Sequence, residues 1–234
     1  NMSSLCVGGM SYGVTTLEMA SGFAIFGNNG YYFKPYSYYK VTNNDGSEVI
    51  LSSEKETGEE VLSEATAGVM RNIMKTVMTS GTGNGYGISG FETFAKTGTT
   101  SDNNDRWFVG GTEYYIAAVW YGYDNRLRQT VIPSGDRSNA IRIWYDVMSK
   151  IHGGLDSVSF YKPDTIVTAD VCSSGCYPND WCYEADAVLS DYFVSTSSNM
   201  PDSDLVCPVH EEPEPEEPEE ESFLGGEEPP PPEG

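Results

Sequence analysis

Apolar residues recur along residues 16–27 as two adjacent stripes, Leu17, Ala20 and Ala24 in one and Met19, Phe23 and Phe26 in the other. Steps of three and four residues are the period of an α-helix, and two neighbouring stripes predict a mostly buried one. Thr15-Thr16-Leu17-Glu18 has the form of a capping box at its start, and Asn28-Asn29-Gly30 stops it. A second helix follows Ser63, a good cap. Its stripe is Val69, Ile73 and Val77, with Met70, Met74 and Met78 one step on, which predicts a half-buried helix. Between the helices, Tyr31 to Leu51 is rich in Tyr and Val and is interrupted by Asn43-Asn44-Asp45-Gly46, which reads as a hairpin. Residues 52–62 are polar and read as a loop.

Gly81, Gly83, Gly85, Gly87 and Gly90 form a flexible loop after the second helix. Phe91 to Thr99, Trp107 to Gly111 and Tyr114 to Tyr123 then read as three strands, the last two antiparallel across the short Thr112-Glu113 link. Ile116-Ala117-Ala118-Val119-Trp120 is apolar on both faces, as a central strand is. A last helix is capped by Asn139, carries Ala140, Trp144, Val147, Met148 and Ile151, and ends at Gly153-Gly154. The fold class is α/β, an antiparallel sheet packed with helices.

The 234 residues suffice for a real core. No apolar run nears the ~18 residues of a membrane span, and the start has no signal-peptide pattern. The chain opens with Asn1 ahead of Met2, so a piece of a longer protein is expected, with its N-terminal side missing. The net charge of −22 makes nucleic acid an unsuitable partner. All 13 Lys and Arg fall in residues 1–162, with 16 acids beside them, and the remaining acids lie beyond. Residues 211–234, mostly Glu and Pro, cannot bury enough surface to order themselves and read as a disordered tail, most simply a solvated spacer.

Lys96-Thr97-Gly98-Thr99-Thr100 lies at the end of the first of the three strands. A Lys-Thr-Gly triplet is a weak signal by itself, but the chemistry is coherent. A strand-borne ammonium attracts a carboxylate. Thr97 and Thr99 share a face and can hydrogen-bond it. Alternation puts Lys96 on the other face, so its stem must curl round the strand edge. Gly98 lets a ligand backbone approach, and the Thr99 amide can serve as half of an oxyanion hole.

Beyond the triplet, several stretches resemble the transpeptidase domain of bifunctional, class A penicillin-binding proteins, in the family's order. They are Gly13-Val14-Thr15-Thr16-Leu17-Glu18-Met19-Ala20, Phe26-Gly27-Asn28-Asn29-Gly30 and Gly81-Thr82-Gly83, then Lys96 to Thr100 with Asp102, Asn104, Asp105, Trp107, Phe108, Val109 and Gly110. Ala118-Val119-Trp120 and Gly122-Tyr123-Asp124 complete the match over about residues 8–160. Cys172, Ser174-Gly175, Cys182, Phe193, Pro201, Cys207 and His210 resemble a C-terminal extension of Gram-positive members. Ala95 replaces the Gly often found before the Lys, and the family's first two motifs are not in their places.

The resemblance implies three regions: the C-terminal portion of a transpeptidase domain over 1–160, a Cys-containing extension over 161–210, and the tail over 211–234. It implies a partial domain of the penicillin-binding protein and serine β-lactamase fold. The implied reaction cross-links peptidoglycan stem peptides: a serine attacks the D-Ala-D-Ala bond, releases D-Ala, and passes the acyl group to a neighbouring amine. β-Lactams mimic that bond and trap the acyl-enzyme. Lys96 would act in the nucleophile network and beside the substrate carboxylate, Thr97 and Thr99 would hold that carboxylate, and Gly98 would let the substrate approach. No metal or organic cofactor is needed for this chemistry. The expected place is the outer face of the cytoplasmic membrane, through an anchor on the missing N-terminal part, beside a glycosyltransferase domain. The chain alone is expected to be inactive, for want of the nucleophile. Rival readings are a serine β-lactamase relative and a non-catalytic surface module with a degenerate transpeptidase fold.

Other patterns read as decoys. Ser37-Tyr38-Tyr39-Lys40 and Ser52-Ser53-Glu54-Lys55 fit Ser-x-x-Lys, but the first reads as strand and the second as loop, where Lys does not face Ser. Ser101-Asp102-Asn103 follows the third motif and reads as a turn. Asp102 to Glu113 fails as a calcium loop, with Arg106 at a ligand position and Trp107 where Gly is needed. Gly85 to Gly90 fits G-x-G-x-x-G in the wrong context for a dinucleotide. Cys172, Cys176, Cys182, Cys207 and His210 can bind zinc, but their irregular spacing and an extracellular setting favour one or two disulfides of undetermined pairing. Cys6 reads as a lone thiol and His152 as a partner of a helix C-terminus.

Overall fold

A computed structural model describes residues 5, 8–10, 12–53, 57–123, 130–196, 198 and 200–210. Cys6, Lys55, Asp124 and the acidic tail lie outside them. The chain divides into two units, residues 1–169 with 190–200, and residues 170–189 with 201–234. Among the described residues, no helix is long and apolar enough to cross a membrane.

The first unit is built on an antiparallel sheet, β5 (Phe94–Thr99), β6 (Asp105–Gly111) and β7 (Ile116–Gly122), in the order β5-β6-β7. Among the described residues β6 thus stands between the other two strands, and β7, read from sequence as central, is paired on one side. β6 earns the middle through Gly110 and Gly111. A Cβ on Gly110 would stand 2.3 Å from the Phe94 carbonyl oxygen, and one on Gly111 2.1 Å from that of Tyr115.

Helices cover both faces. The helix α3 (Asn139–Ile151) lays Ala140, Ile141, Trp144 and Met148 against Ala95 and Phe108. Trp144 meets the Phe108 ring edge-on at 5.1 Å and donates its indole N–H towards the carbonyls of Gly110 and Ala117, each 3.2 Å away. Its N-cap is Ser138 rather than the expected Asn139, and no side chain caps it.

On the opposite face lies α1 (Thr16–Gly27), where Phe23 stacks on Phe94 at 6.4 Å. The capping box at Thr15 and Glu18 forms as read from the sequence. The helix is not mostly buried, however. None of its residues is fully enclosed: Leu17 is 61% exposed, and the other members of both apolar stripes are half-buried.

The third helix of this unit, α2 (Glu64–Thr79), packs beside β5 and is capped by Ser63. Its buried positions are Ala67, Gly68, Arg71, Met74 and Met78, whereas Met70 and Ile73 of the expected stripe face solvent. Arg71 takes an interior place because its polar atoms are satisfied there. It donates to Phe26 O at 2.7 Å, Asn29 Oδ1 at 3.1 Å and Tyr161 O at 2.6 Å, with its guanidinium 4.6 Å from the centre of the Phe160 ring.

Residues 31–62 form two small sheets. The expected hairpin exists as β2 (Lys40–Thr42) and β3 (Val49–Ser52), but Tyr31–Tyr32 (β1) pairs with Glu59–Glu60 (β4), in the stretch read as loop. A Cβ on Gly30, at φ +94°, would lie 2.0 Å from the Leu62 carbonyl oxygen, so the glycine permits this closure.

Beyond Pro163, where the sequence pattern fades, β8 (Ile166–Cys172) pairs with β9 (Val188–Val194), and a short helix α4 (Asp180–Glu184) lies between them in sequence.

Candidate active site

β5 pairs only with β6 among the described residues, so one edge of it carries no strand. The ladder register fixes what that edge presents. Thr99 is opposite Arg106 and Thr97 opposite Phe108, and beyond them the Thr100 amide bonds the Asp105 carbonyl at 3.3 Å. Antiparallel pairs alternate between hydrogen-bonded and non-hydrogen-bonded. Thr100 being hydrogen-bonded, Thr99 and Thr97 turn their amides and carbonyls to the free edge.

Side chains follow the same alternation. Thr97 and Thr99 stand on the α3 face with Phe108 and Arg106, and Lys96 stands with Val109 on the α1 face. The exposed Lys96 stem curls back so that Nζ donates to the Thr97 carbonyl at 3.0 Å, at the edge. The ammonium is thereby brought to the rim that the two threonine amides share.

Thr97 Oγ1 lies 3.2 Å from Thr82 Oγ1. Thr82 reaches β5 because the loop folds back over the end of α2, with the Gly81 amide on Thr76 O and the Gly83 amide on Val77 O, both 2.8 Å. A Cβ on Gly83 would stand 2.6 Å from Met78 Sδ and 3.1 Å from Val77 O, so a larger residue there would have to displace the buried Met78 side chain. Gly98 is opposite Trp107, whose Cβ would be 3.0 Å from a Cβ placed there.

Thr99 Oγ1 accepts from Arg106 Nη1 at 2.7 Å. The Ser101-Asp102-Asn103 turn is held by Thr100 Oγ1, which accepts the amides of Asn104 and Asp105, each at 3.0 Å. Asn103 adopts φ 55°, which Asn tolerates in a tight turn. The turn reading of this segment thus describes it well. Arg106 and Thr82 were given no role from sequence. Arg106 appeared only as a misfit in a calcium loop, and nothing in its spacing signalled its reach to Thr99.

The other candidates sit apart from this edge. Ser37 lies between β1 and β2, outside any strand, and Ser52 ends β3 rather than lying in a loop. His152 is buried, with Nδ1 donating to Met148 O and Nε2 against Thr112 Oγ1, both 2.7 Å, among the rings of Phe91, Tyr114 and Tyr115. It is a core histidine. In the second unit Cys172, Cys176, Cys182 and Cys207 are free thiols, which corrects the expected disulfides. Cys172 and Cys207 sulfurs are 3.6 Å apart, against about 2.05 Å for a bond.

A second polar cluster lies beside Arg71. Lys75 Nζ is 2.5 Å from Glu92 Oε1, and Glu92 Oε2 accepts the Phe160 amide at 2.9 Å. Burial alone would raise the Glu92 carboxyl, but these two hydrogen bonds and the charges of Lys75 and Arg71 bring it below its ordinary value. A cavity of about 170 Å³ opens between these groups and Tyr192.

The family description "Penicillin binding protein transpeptidase domain" matches residues 1–145. Penicillin-binding protein 1A of Clostridium botulinum strain Hall is 34% identical over 200 residues, covering 83% of this chain and 24% of that protein. Penicillin-binding protein 1A/1B of Bacillus subtilis is 33% identical over 200 residues, covering 78% and 21%. The solved Penicillin-Binding Protein 1A from Haemophilus influenzae shares the fold, with a TM-score of 0.66 over 81% of this chain and 33% of its own, at 20% identity. The penicillin-binding protein PonA1 from Mycobacterium tuberculosis aligns with a TM-score of 0.56 at 26% identity, over 63% of this chain and 41% of its own. The chain spans about a quarter of the length of these curated relatives.

Proposed function

The chain belongs to the penicillin-binding protein transpeptidase family, and from that premise we propose that β5 is the substrate-binding edge of a peptidoglycan D,D-transpeptidase. The observation that carries this reading is the Lys96-Thr97-Gly98-Thr99 segment on an edge that no other strand of the described residues pairs with, with Nζ of Lys96 curled to that edge.

An extended D-Ala-D-Ala peptide, or a β-lactam imitating it, lies along this edge as an added strand. The hydroxyls of Thr97 and Thr99 hold its carboxylate. The Lys96 ammonium attracts that carboxylate and lowers the energy of a neighbouring serine alkoxide. The Thr99 amide donates to the carbonyl oxygen as charge develops there. Gly98 keeps the rim low.

The attacking serine belongs to the remainder of the longer protein, which faces the open edge of β5 across the substrate and covers the exposed Leu17 of α1. The chain by itself is therefore inactive in acyl transfer. The parent protein acts on the outer face of the cytoplasmic membrane.

Fluorescent-penicillin labelling of the source cell's membranes tests this, with bands identified by peptides of this chain. The expected result is a labelled band far heavier than 25.6 kDa, and no labelling of the isolated chain. Peptides found only in an unlabelled 25.6 kDa band would sink the enzymatic reading. Stable labelling of the isolated chain would sink the split nucleophile.

A further inference from the structure

The second unit has almost no aliphatic core. Its buried centre is Cys172, Cys182 and Cys207, 1%, 0% and 4% exposed, flanked by Cys176, Ala187 and Val188. Its described part has about 30 residues, below the roughly 40 under which chains usually need a disulfide, a metal or a partner to hold a fold. Its cysteines are free, so something other than a disulfide must supply the stability.

Four ligand atoms converge at this centre. The sulfurs of Cys172, Cys182 and Cys207 and a ring nitrogen of His210 lie within 4.8 Å of one another. His210 Nδ1 is 3.3 Å from Cys172 Sγ and 3.6 Å from each of Cys182 Sγ and Cys207 Sγ. A tetrahedral zinc with Zn–S of about 2.3 Å and Zn–N of about 2.0 Å places its ligand atoms about 3.5–3.8 Å apart. The three nitrogen–sulfur separations and the Cys172–Cys207 sulfur separation of 3.6 Å are close to such edges, and the remaining sulfur pairs lie within 4.8 Å, so a bound ion would draw the four atoms only slightly closer.

The surroundings suit thiolates. Each of the three sulfurs accepts a backbone N–H, from Ser174 on Cys172 at 3.5 Å, Asn179 on Cys182 at 3.4 Å and Val209 on Cys207 at 3.4 Å. Such donors favour the charged form of sulfur and orient it. Asn179 joins the two halves of the site. Its Oδ1 caps α4 through the Cys182 amide at 2.9 Å, and its Nδ2 donates to the carbonyls of Cys207 and His210 at 3.1 and 2.7 Å.

We propose that Cys172, Cys182, Cys207 and His210 form a structural zinc site that holds the second unit together. Three soft thiolates and one imidazole select zinc over hard cations. All four positions are filled by protein, so no position is open for water or substrate, and the role is structural. Binding sends the three thiol protons to solvent and leaves a net charge of −1 at the centre. Cys176, with its sulfur 3.0 Å from Ser174 Oγ, stands outside the ligand set.

Metal analysis of the full 234-residue chain tests the proposal, on protein purified reduced and without chelator, with cobalt(II) as an optical probe. About one zinc per chain is expected. Cobalt should give a thiolate charge-transfer band and the intense visible absorption of a tetrahedral centre, both bleached by added zinc. Cys207→Ser and His210→Ala should weaken zinc binding by more than ~100-fold, the upper range for loss of a mere outer-shell partner. Cys176→Ser should retain it. If those variants fail to fold, alkylation of the wild-type chain decides: zinc should protect Cys172, Cys182 and Cys207, and a chelator should expose them. Absence of stoichiometric zinc together with absence of the cobalt bands overturns the proposal. So does a disulfide at Cys172, Cys182 or Cys207 in the native protein.

Discussion

Arg106 Nη1 donates to Thr99 Oγ1 across the β5–β6 hairpin at 2.7 Å. The two residues face each other at a non-hydrogen-bonded pair, where side chains approach most closely. The same guanidinium holds Asn103 Oδ1 at 2.5 Å. Thr99 therefore accepts from Arg106 and keeps its own proton to give away. A carboxylate on this rim would meet a hydroxyl donor backed by a positive charge.

In the full-length protein, Thr99→Val should slow acylation by a fluorescent penicillin by about 10- to 100-fold, as expected for loss of a hydrogen bond to a charged group of about 1.5–3 kcal/mol. Thr99→Ser should recover most of the rate. Acylation rate constants check this, and a Val variant as fast as wild type would remove Thr99 from the site.

Lys96→Met in the same protein should reduce acylation by at least ~100-fold, the scale of a lost acid–base or electrostatic group. Its melting temperature should barely change, since Lys96 is exposed and its ammonium bonds the carbonyl of the next residue. Labelling and thermal unfolding on one preparation separate the two effects.

The three strands around Lys96 were legible because Trp107, Phe108, Val109 and Ile116 to Trp120 form unbroken apolar runs between turn signals. Their order was legible only in part. The apolar character of β7 suits a strand paired on both sides, whereas among the described residues it is β6 that stands between two strands, where its glycines allow close approach. The interior side of α2 was misread for a related reason. Arg71 counts as polar in any pattern, yet it is buried because three acceptors from distant segments meet it. The Cys and His cluster was visible only as composition. Cys207 and His210 are three residues apart, but Cys172 and Cys182 come from separate stretches of chain, and no local spacing encodes their meeting with that pair.

Arg71→Met should destabilise the chain by about 3 kcal/mol or more, since two carbonyls and an amide oxygen lose their donor in a largely enclosed place. Arg71→Lys should recover only part of this, because one ammonium cannot reproduce a planar fork. Urea unfolding of the three chains gives the comparison.

Gly110→Ala should be among the most damaging small substitutions. The new methyl would fall 2.3 Å from Phe94 O and 2.5 Å from Ala95 Cβ, against backbone that cannot yield. A loss of about 1–3 kcal/mol or more is expected from such overpacking, measurable by the same unfolding experiment. Gly135→Ala, where nothing stands within 4 Å, serves as the control.

Glu92 gives the first unit an acid sensitivity. Its folded carboxyl titrates below its ordinary value of 4.5, so the folded state binds the proton less readily than the unfolded one. Its contribution is present above about pH 4.5 and fades as pH falls through the lowered folded value. Glu92→Gln should therefore narrow the gap in urea stability between pH 7 and about pH 3.5. An unchanged gap would place the acid sensitivity elsewhere.

The edge of β5 that pairs with no strand among the described residues has a cost as well as a use. A strand with free amides and carbonyls welcomes any extended backbone, including the same strand of another molecule. Separated from whatever covers that edge, the chain faces self-association, with like strands zipping edge to edge and the exposed Leu17 side of α1 adding adhesion. The net charge of −22 opposes it through mutual repulsion. Colloidal behaviour should thus hinge on ionic strength: dilute buffer keeps single molecules apart, and added salt screens the repulsion and lets them aggregate.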